Sequence, residues 1–250
     1  MKLLWTPMMK RYIFKLFIRV SIFVTVLCMY IADKEMLYQL TVQPIWNGIA
    51  FMHVLWVGFM LMMLGHIFPP KRLVTMALRK AEPEFHEPVE EYDQLELYKF
   101  VQDQNIKAWK VMLVWIIPNG FIGFLCVMGL LQPADLLMLT VFYFLCDYIC
   151  ILFFCPFQTV IMKNKCCVNC RIFDWGHFMM FTPMLFIQNF FSWSLFFTSL
   201  VVLIRWEIVY AKHPERFWSG SHKTLQCQNC KDKTCQIKRG IATKVKNMTK

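Results

Sequence analysis

Long apolar runs occupy most of this sequence, and they constrain the fold more than any other feature. A helix needs about 20 residues to cross the hydrocarbon core of a bilayer. Four runs reach that length, at residues 12–32, 45–68, about 108–131 and about 134–162. The composition agrees, since 58% of the residues are hydrophobic and only 17% are charged, whereas about 25% of an ordinary soluble domain is charged. The chain is therefore predicted to be an all-α, polytopic integral membrane protein.

A fifth apolar run, at 173–210, is 38 residues long. That length is too great for one crossing and is enough for a tight helical hairpin. Gln188, Asn189 and Ser192 lie near its middle, where a turn would fall. A hairpin here gives a bundle of about six transmembrane helices. A single crossing, which would give about five, remains the alternative.

Lysine and arginine are distributed unevenly between the segments that connect these runs. With six crossings, the segments on one side contain 3, 6, 3 and 11 of these residues, and those on the other side contain 1, 0 and 0. Basic residues stay preferentially on the cytosolic side, so both termini are predicted to be cytosolic, in a multi-pass protein of the plasma membrane. The predicted organisation is a transmembrane helical domain at 1–210, with a cytosolic loop at 69–107, and a basic, cysteine-containing cytosolic tail at 211–250.

The formal net charge of +11 fits the same picture, because basic segments also bind anionic lipid headgroups. No basic patch is interleaved with exposed aromatic residues, so nucleic acid is not an expected partner. The expected partners are the lipid bilayer and a protein that docks at the cytosolic face. The sequence contains no nucleotide-binding loop, serine nucleophile elbow or metalloprotease helix motif, which favours a non-enzymatic role.

Six of the eleven cysteines lie in two polar segments, at 166–170 and 227–235, and each segment contains a C-x-x-C pair. This spacing lets two thiolates bind one metal ion from a tight turn. The predicted hairpin would bring both segments to the cytosolic face, where reducing conditions favour metal ligation over disulfides. A small cytosolic cysteine-rich knob is therefore predicted. In it, a structural zinc ion is bound by Cys167, Cys170, Cys227 and Cys230, with Cys166 and Cys235 as further candidate ligands.

Two other chemistries remain open for these cysteines. An iron–sulfur cluster also uses cysteine ligands. Redox-active thiols are the other alternative, because the flanking lysine and arginine residues are expected to lower thiol pKa values. The remaining five cysteines lie in the apolar runs and are interpreted as packing residues; they are Cys28, Cys126, Cys146, Cys150 and Cys155.

Charged residues within the apolar runs are costly unless they are paired or functional. Arg19 and Asp147 lie at similar predicted depths, so an intramembrane ion pair that fixes helix packing is predicted. The alternative is a proton or substrate site. His66 and His177 also lie at similar depths and are candidate ligands of a single haem, although membrane histidines usually hydrogen-bond between helices.

Three functional hypotheses follow from these residues. In the first, a non-enzymatic membrane protein uses its zinc-bound knob to anchor the last helical hairpin or to dock a partner. In the second, a membrane redox protein passes electrons between an iron–sulfur or thiol centre and a membrane acceptor. In the third, which the sequence favours least, the chain is a small transporter that uses Asp147.

Overall fold

The chain folds into helices with short connections, and the computed structural model describes residues 6–46, 49–69, 75–164, 166–233 and 235–238. Helix accounts for 75% of the structure and strand for almost none. The described α-helices are α1 (Pro7–Ala32), α2 (Lys34–Val42), α3 (Phe51–Ile67), α4 (Met76–Arg79), α5 (Gln94–Val127), α6 (Pro133–Leu152), α7 (Gly176–Phe181) and α8 (Phe190–Lys212). A short antiparallel pair, β1 (Pro44–Trp46) and β2 (Ile49–Ala50), precedes α3.

Several shorter helical turns complete the described structure. They are a π-helical turn at Phe157–Ile161 and 3-10 turns at Pro83–Phe85, Phe173–Trp175, Thr182–Phe186, Pro214–Phe217 and Lys223–Leu225.

Four helices are long and apolar enough to cross a membrane, namely α1, α5, α6 and α8. Helix α3 is apolar but shorter, with 17 residues. Large apolar side chains cover the outward faces of these helices, among them Phe17, Leu61, Ile117, Phe121 and Phe197. An exposed apolar surface of this extent is stable against lipid and not against water. The predicted membrane class and all-α composition therefore agree with the structure.

The helix termini explain where three of these helices begin. Pro7 and Pro133 occupy the first turns of α1 and α6, where a missing N–H costs nothing. The Asn189 side chain accepts a hydrogen bond from the Ser192 N–H at 2.7 Å and so caps α8. The turn predicted near Gln188 and Asn189 is therefore the point at which α8 starts.

Neighbouring long helices run antiparallel. Helix α1 packs on α6, with the Tyr30 hydroxyl 2.5 Å from Asp135 at one end and the Tyr12 and Tyr148 rings 5.6 Å apart at the other. Helix α3 packs in the same manner on α8. The Trp56 indole N–H donates to the Ser194 hydroxyl at 2.7 Å. At the opposite ends of the same helices, Arg205 donates to the carbonyl oxygen of His66 at 3.0 Å.

The first arm of the predicted hairpin differs from a regular membrane helix. Between residues 173 and 186 the chain forms a 3-10 turn, the short α7 and a second 3-10 turn that contains Pro183. This arm packs inside the bundle, where Phe181 is buried and the Trp115 indole of α5 donates to the Thr182 hydroxyl at 3.1 Å. Irregular backbone is tolerated at membrane depth when protein surrounds it. Six transmembrane helices are therefore not confirmed: within the described residues, four helices are long and apolar enough to cross, α3 is shorter and this arm is irregular.

A folded layer covers the end of the bundle at which α1 begins and α6 ends, hereafter the near end. Lys80 is buried at its centre and donates to the carbonyl oxygens of Val168 and Cys170 at 2.8 and 2.7 Å. Its ammonium nitrogen lies 5.4 Å from the Trp206 ring and 5.3 Å from the Phe217 ring. Burial lowers the pKa of Lys80 to about 8. One lysine thus connects the loop after α3, the first cysteine segment, α8 and the tail.

The tail and the predicted cytosolic loop are packed against each other. The Val89 N–H donates to the Ser221 carbonyl oxygen at 3.0 Å, and the Lys223 N–H donates to the Glu87 carbonyl oxygen at 2.9 Å. Between these two bonds, His222 is buried and its Nδ1 lies 3.0 Å from the Arg216 carbonyl oxygen. The tail is therefore anchored to the loop at residues 221–223.

The contact between α5 and the irregular arm can be tested with a pair of glycines. A Cβ atom at Gly123 would lie 2.1 Å from the Phe186 ring, whereas one at Gly120 would meet nothing within 4 Å. We expect Gly123→Val to cost about 1–3 kcal/mol of stability through overpacking. Thermal unfolding in detergent should show a lower Tm for this variant than for Gly120→Val on the same helix. Equal melting temperatures would show that the arm does not pack on α5 in this way.

Candidate functional site

A cavity of 440 Å³ with charged side chains in its wall, hereafter the polar cavity, lies between α1, α3, α6 and the start of the irregular arm. Its wall contains seven acidic, basic or histidine side chains, Arg11, Lys15, Arg19, His66, Asp147, Asp174 and His177. Ionisable residues inside a membrane bundle are expensive, and they mark binding sites or proton pathways. This polar cavity is therefore the first candidate for a functional site.

Arg19 and Asp147 form an ion pair across the cavity wall. The Arg19 guanidinium donates to the Asp147 carboxylate at 2.8 Å and to the Phe144 carbonyl oxygen at 2.5 Å. It also stacks on the rings of Phe144 and Tyr148, at 3.9 and 3.8 Å from their centroids. The Arg19 side chain is only 8% exposed, whereas that of Asp147 is 29% exposed. The structure thus joins the two residues that the sequence placed at similar depth, and the carboxylate keeps an accessible edge.

His66, His177 and Asp174 form a second polar group in the cavity. The Nδ1 atom of His66 lies 2.5 Å from the Asp174 carboxylate, and its Nε2 atom lies 3.4 Å from Nε2 of His177. A carboxylate on one ring nitrogen fixes the orientation and tautomer of the imidazole. The two imidazole rings meet edge to face with centroids 4.5 Å apart. This spacing leaves no room for a porphyrin, so a haem between His66 and His177 does not fit the arrangement.

Sequence reasoning missed Asp174, because it was counted within an apolar run. A signal was present nevertheless. Asp174 precedes His177 by three residues, and residues at that spacing lie on one face of a helix. An acidic residue and a histidine on one face at the start of a membrane segment indicate a polar site there.

The cations of α1 outnumber the carboxylates available to them. Arg11, Lys15 and Arg19 recur every fourth residue, so they share one helix face, and all three border the cavity. Asp147 is engaged by Arg19 and Asp174 is held by His66. Neither cavity carboxylate therefore neutralises Arg11 or Lys15, and the cavity has an excess of positive charge.

A second cavity, of 470 Å³, also borders α6 and is mostly apolar. Five cysteines line it, namely Cys146, Cys150, Cys155, Cys167 and Cys170, and it is hereafter the thiol cavity. Three of these residues were interpreted from the sequence as packing residues only. The fold places them beside the first cysteine segment, because the chain turns back after α6. The Cys167 sulfur lies 3.9 Å from the Cys150 carbonyl oxygen and 3.0 Å from the Gln158 side-chain oxygen.

The predicted zinc ligands are not arranged around a common point. Cys170 is buried and Cys227 is exposed, while Cys167 and Cys230 are intermediate. The described residues include all eleven cysteines, and among them no group of three or more His, Cys, Asp or Glu side chains is placed to hold a metal ion. Zinc ligation by Cys167, Cys170, Cys227 and Cys230 gains no geometric support and stays a prediction, as does an iron–sulfur cluster.

Burial, and not the flanking basic residues, dominates the ionisation of the first cysteine segment. It raises the pKa of Cys166 to about 11 and that of Cys170 to about 12. Cys230 and Cys235 act on the pKa of Cys166 in the same direction. Burial also raises the pKa of Cys167, although the Lys238 ammonium opposes the effect from 2.9 Å. The expected lowering of thiol pKa values does not occur at these residues.

The Arg19–Asp147 pair is expected to stabilise the bundle as a unit. Either Arg19→Leu or Asp147→Asn removes one partner from a buried pair, which costs about 3–5 kcal/mol. The double variant should recover part of that loss, because no unpaired charge remains. Thermal unfolding of the four proteins in detergent measures the coupling. Lys34→Leu provides a control, since Lys34 pairs with Asp135 while 47% exposed and should cost at most about 1 kcal/mol. A double variant as unstable as the worse single variant would contradict a structural role.

No protein-family model matches the chain, and no curated protein and no solved structure matches it. The residues around the two cavities are therefore what indicates a function.

Proposed function

We propose that the chain crosses the plasma membrane six times, with the near end and both termini in the cytosol. The antiparallel packing of α1 with α6 and of α3 with α8 supports this alternation. The irregular arm starts beside His66 at the near end and reaches α5 at the level of Gly123, which is consistent with a further crossing. The basic segments then lie together on the cytosolic side, as the positive-inside rule requires.

Reporter fusions test this topology. Alkaline phosphatase, which is active only outside the cytosol, should be inactive when fused after Lys250 and active when fused after Gln132. The fusion after Gln132 is the positive control. Gln132 lies in the turn between α5 and α6, which the six-crossing topology places outside the cytosol. High activity after Lys250 would rule out six crossings with cytosolic termini.

We further propose that the protein transports a small anion, of the carboxylate or phosphate class, and binds it in the polar cavity. The observation that carries this proposal is the row of Arg11, Lys15 and Arg19 on one face of α1, facing a cavity inside the bundle. Walls of low dielectric around a cleft strengthen the attraction between its cations and an anion. The volume of 440 Å³ falls within the range of about 300–1,000 Å³ typical of small-molecule sites.

The neighbouring ion pair and histidines suit such a ligand. Asp147 neutralises Arg19 when the cavity is empty, so the buried arginine is paired both with and without a bound anion. An anion that approaches Arg19 would compete with Asp147 for the same guanidinium. His66 and His177 lie at the same cavity, and Asp174 orients the His66 ring.

Ligand-induced stabilisation of the purified protein tests the proposal. Inorganic phosphate and acetate are titrated to millimolar concentrations, and the Tm is measured in detergent. At ten times its Kd, a ligand stabilises the folded state by about 1.4 kcal/mol, which raises the Tm by about 3–6 °C. Lys15→Gln should abolish the increase for the anion that binds. Lys99→Gln should retain it, because Lys99 lies on an exposed part of α5 outside the cavity.

Uptake into proteoliposomes then separates binding from transport. Vesicles that contain the wild-type protein should accumulate the radiolabelled form of the anion that raised the Tm, and vesicles that contain Lys15→Gln should not. If neither phosphate nor acetate shifts the Tm, or if Lys15→Gln shows the same shift, the polar cavity does not bind this class of anion.

A further inference from the structure

Asp174, His66 and His177 form a continuous polar chain in the wall of the polar cavity. The His66 ring joins the other two residues, because its Nδ1 atom contacts the Asp174 carboxylate and its Nε2 atom faces Nε2 of His177. The Asp174 side chain is only 4% exposed, and His177 is also buried. Arg11 and Lys15 account for the attraction of an anion, and they leave this buried chain without a role.

The two contacts determine where protons lie on the chain. A carboxylate only accepts, so His66 donates its Nδ1–H to Asp174 and, when neutral, has a lone pair on Nε2. The facing Nε2 atom of His177 then carries the proton between the two rings, which leaves the His177 Nδ1 atom as the base of the chain. A proton that binds to this Nδ1 atom makes an imidazolium, and transfer of the Nε2 proton moves the positive charge to His66. The chain therefore holds one additional proton, whose charge Asp174 neutralises.

Charged groups on the neighbouring elements have partners of their own. Arg19 of α1 pairs with Asp147 of α6 at 2.8 Å, and Arg205 of α8 pairs with Glu82 at 2.8 Å. Lys80, just after α4, donates to two backbone carbonyl oxygens. These groups are the charged neighbours of the chain, and their partners are present whether or not an anion is bound.

The excess positive charge of the polar cavity links proton binding to anion binding. Neither cavity carboxylate neutralises Arg11 or Lys15, and like charge opposes the addition of a proton to the two histidines while the cavity is empty. A bound anion offsets that charge and so favours the protonated form of the chain. Linkage is reciprocal, so the proton increases the affinity for the anion by the same factor.

We propose that the protein is a proton–anion symporter in which Asp174, His66 and His177 bind one proton together with each anion. This inference rests on the proposed function, because it names the ion that is coupled to the anion at the same cavity. An N–H bond forms at the His177 Nδ1 atom when a proton arrives from water, and it breaks when the anion leaves on the other side. Buried chains of aspartate and histidine act as proton relays in transporters.

Binding of acetate to the complete wild-type protein in detergent tests the coupling. Acetate is ionised under these conditions, so a proton that accompanies it is taken up by the protein. Its Kd is measured from the Tm at about pH 6 and about pH 8, on either side of the range in which histidine usually titrates. One coupled proton weakens binding by up to about tenfold for each pH unit, and we expect a Kd at least about tenfold higher at the upper pH. A pH indicator in lightly buffered solution should show uptake of about one proton per bound acetate.

An aspartate variant tests the assignment to this chain. Asp174→Asn keeps an acceptor for the His66 Nδ1–H and removes the charge that neutralises the additional proton. We expect this variant to lose both the pH dependence of the Kd and the proton uptake. Asp103→Asn is the matched control and should retain both, because the Asp103 side chain is 53% exposed on α5, outside the polar cavity. Phosphate itself exchanges protons near neutral pH, so its Kd is compared between the wild type and these two variants.

The results distinguish failure of the coupling from failure of the anion proposal. If neither acetate nor phosphate raises the Tm of the wild type at either pH, both proposals are wrong. If acetate binds with the same Kd at both pH values and without proton uptake, anion binding stands and the proton coupling is overturned. These two measurements need no substitution, so they hold even if a variant folds poorly. For either anion, an unchanged pH dependence in Asp174→Asn would overturn the assignment to this chain.

Discussion

The ion pair between Arg19 and Asp147 is the interaction on which the arrangement of this bundle depends. Within α1, Met9, Tyr12 and Arg19 are the buried residues, and the helix packs mainly on α6. Its one deeply buried charge is Arg19, which cannot face hydrocarbon unpaired. Asp147 on α6 is the partner, and the rings of Phe144 and Tyr148 complete the enclosure. The requirement to pair this charge sets the rotation of α1 and turns its basic face towards the polar cavity.

The near end also contains buried cations, and different groups stabilise them. Lys80 is buried outside the spanning helices, and two carbonyl oxygens with two aromatic rings replace its water. Arg171 is held in a similar way by Glu207 and by the Asn105 side chain, 2.6 Å away. A buried charge is tolerated when it is paired or hydrogen-bonded. These two residues therefore connect the loop, the first cysteine segment and the tail into one layer beneath both cavities.

The two cavities share part of their walls. Asp147 and Gly176 border both of them. A Cβ atom at Gly176 would lie 2.9 Å from the Asp147 carboxylate, so glycine lets the backbone of the irregular arm approach that carboxylate closely. A ligand that displaces Asp147 from Arg19 would act on the same wall of the thiol cavity.

The sequence alone determined the membrane class, the all-α composition, the turn at Asn189 and the depth at which Arg19 and Asp147 lie, because each follows from local hydropathy, capping or charge. It could not determine the irregular arm, since Phe181 and its neighbours are as apolar as residues that face lipid. Sequence analysis also interpreted Cys150 and Cys155 as packing residues, apart from the polar cysteine segment. It did not identify Asp174 as a candidate site residue. Those groupings depend on where the chain turns after α6 and on which face each helix presents. Only tertiary packing decides these, because a pattern of apolar residues specifies that a segment is buried but not which side chains it will meet.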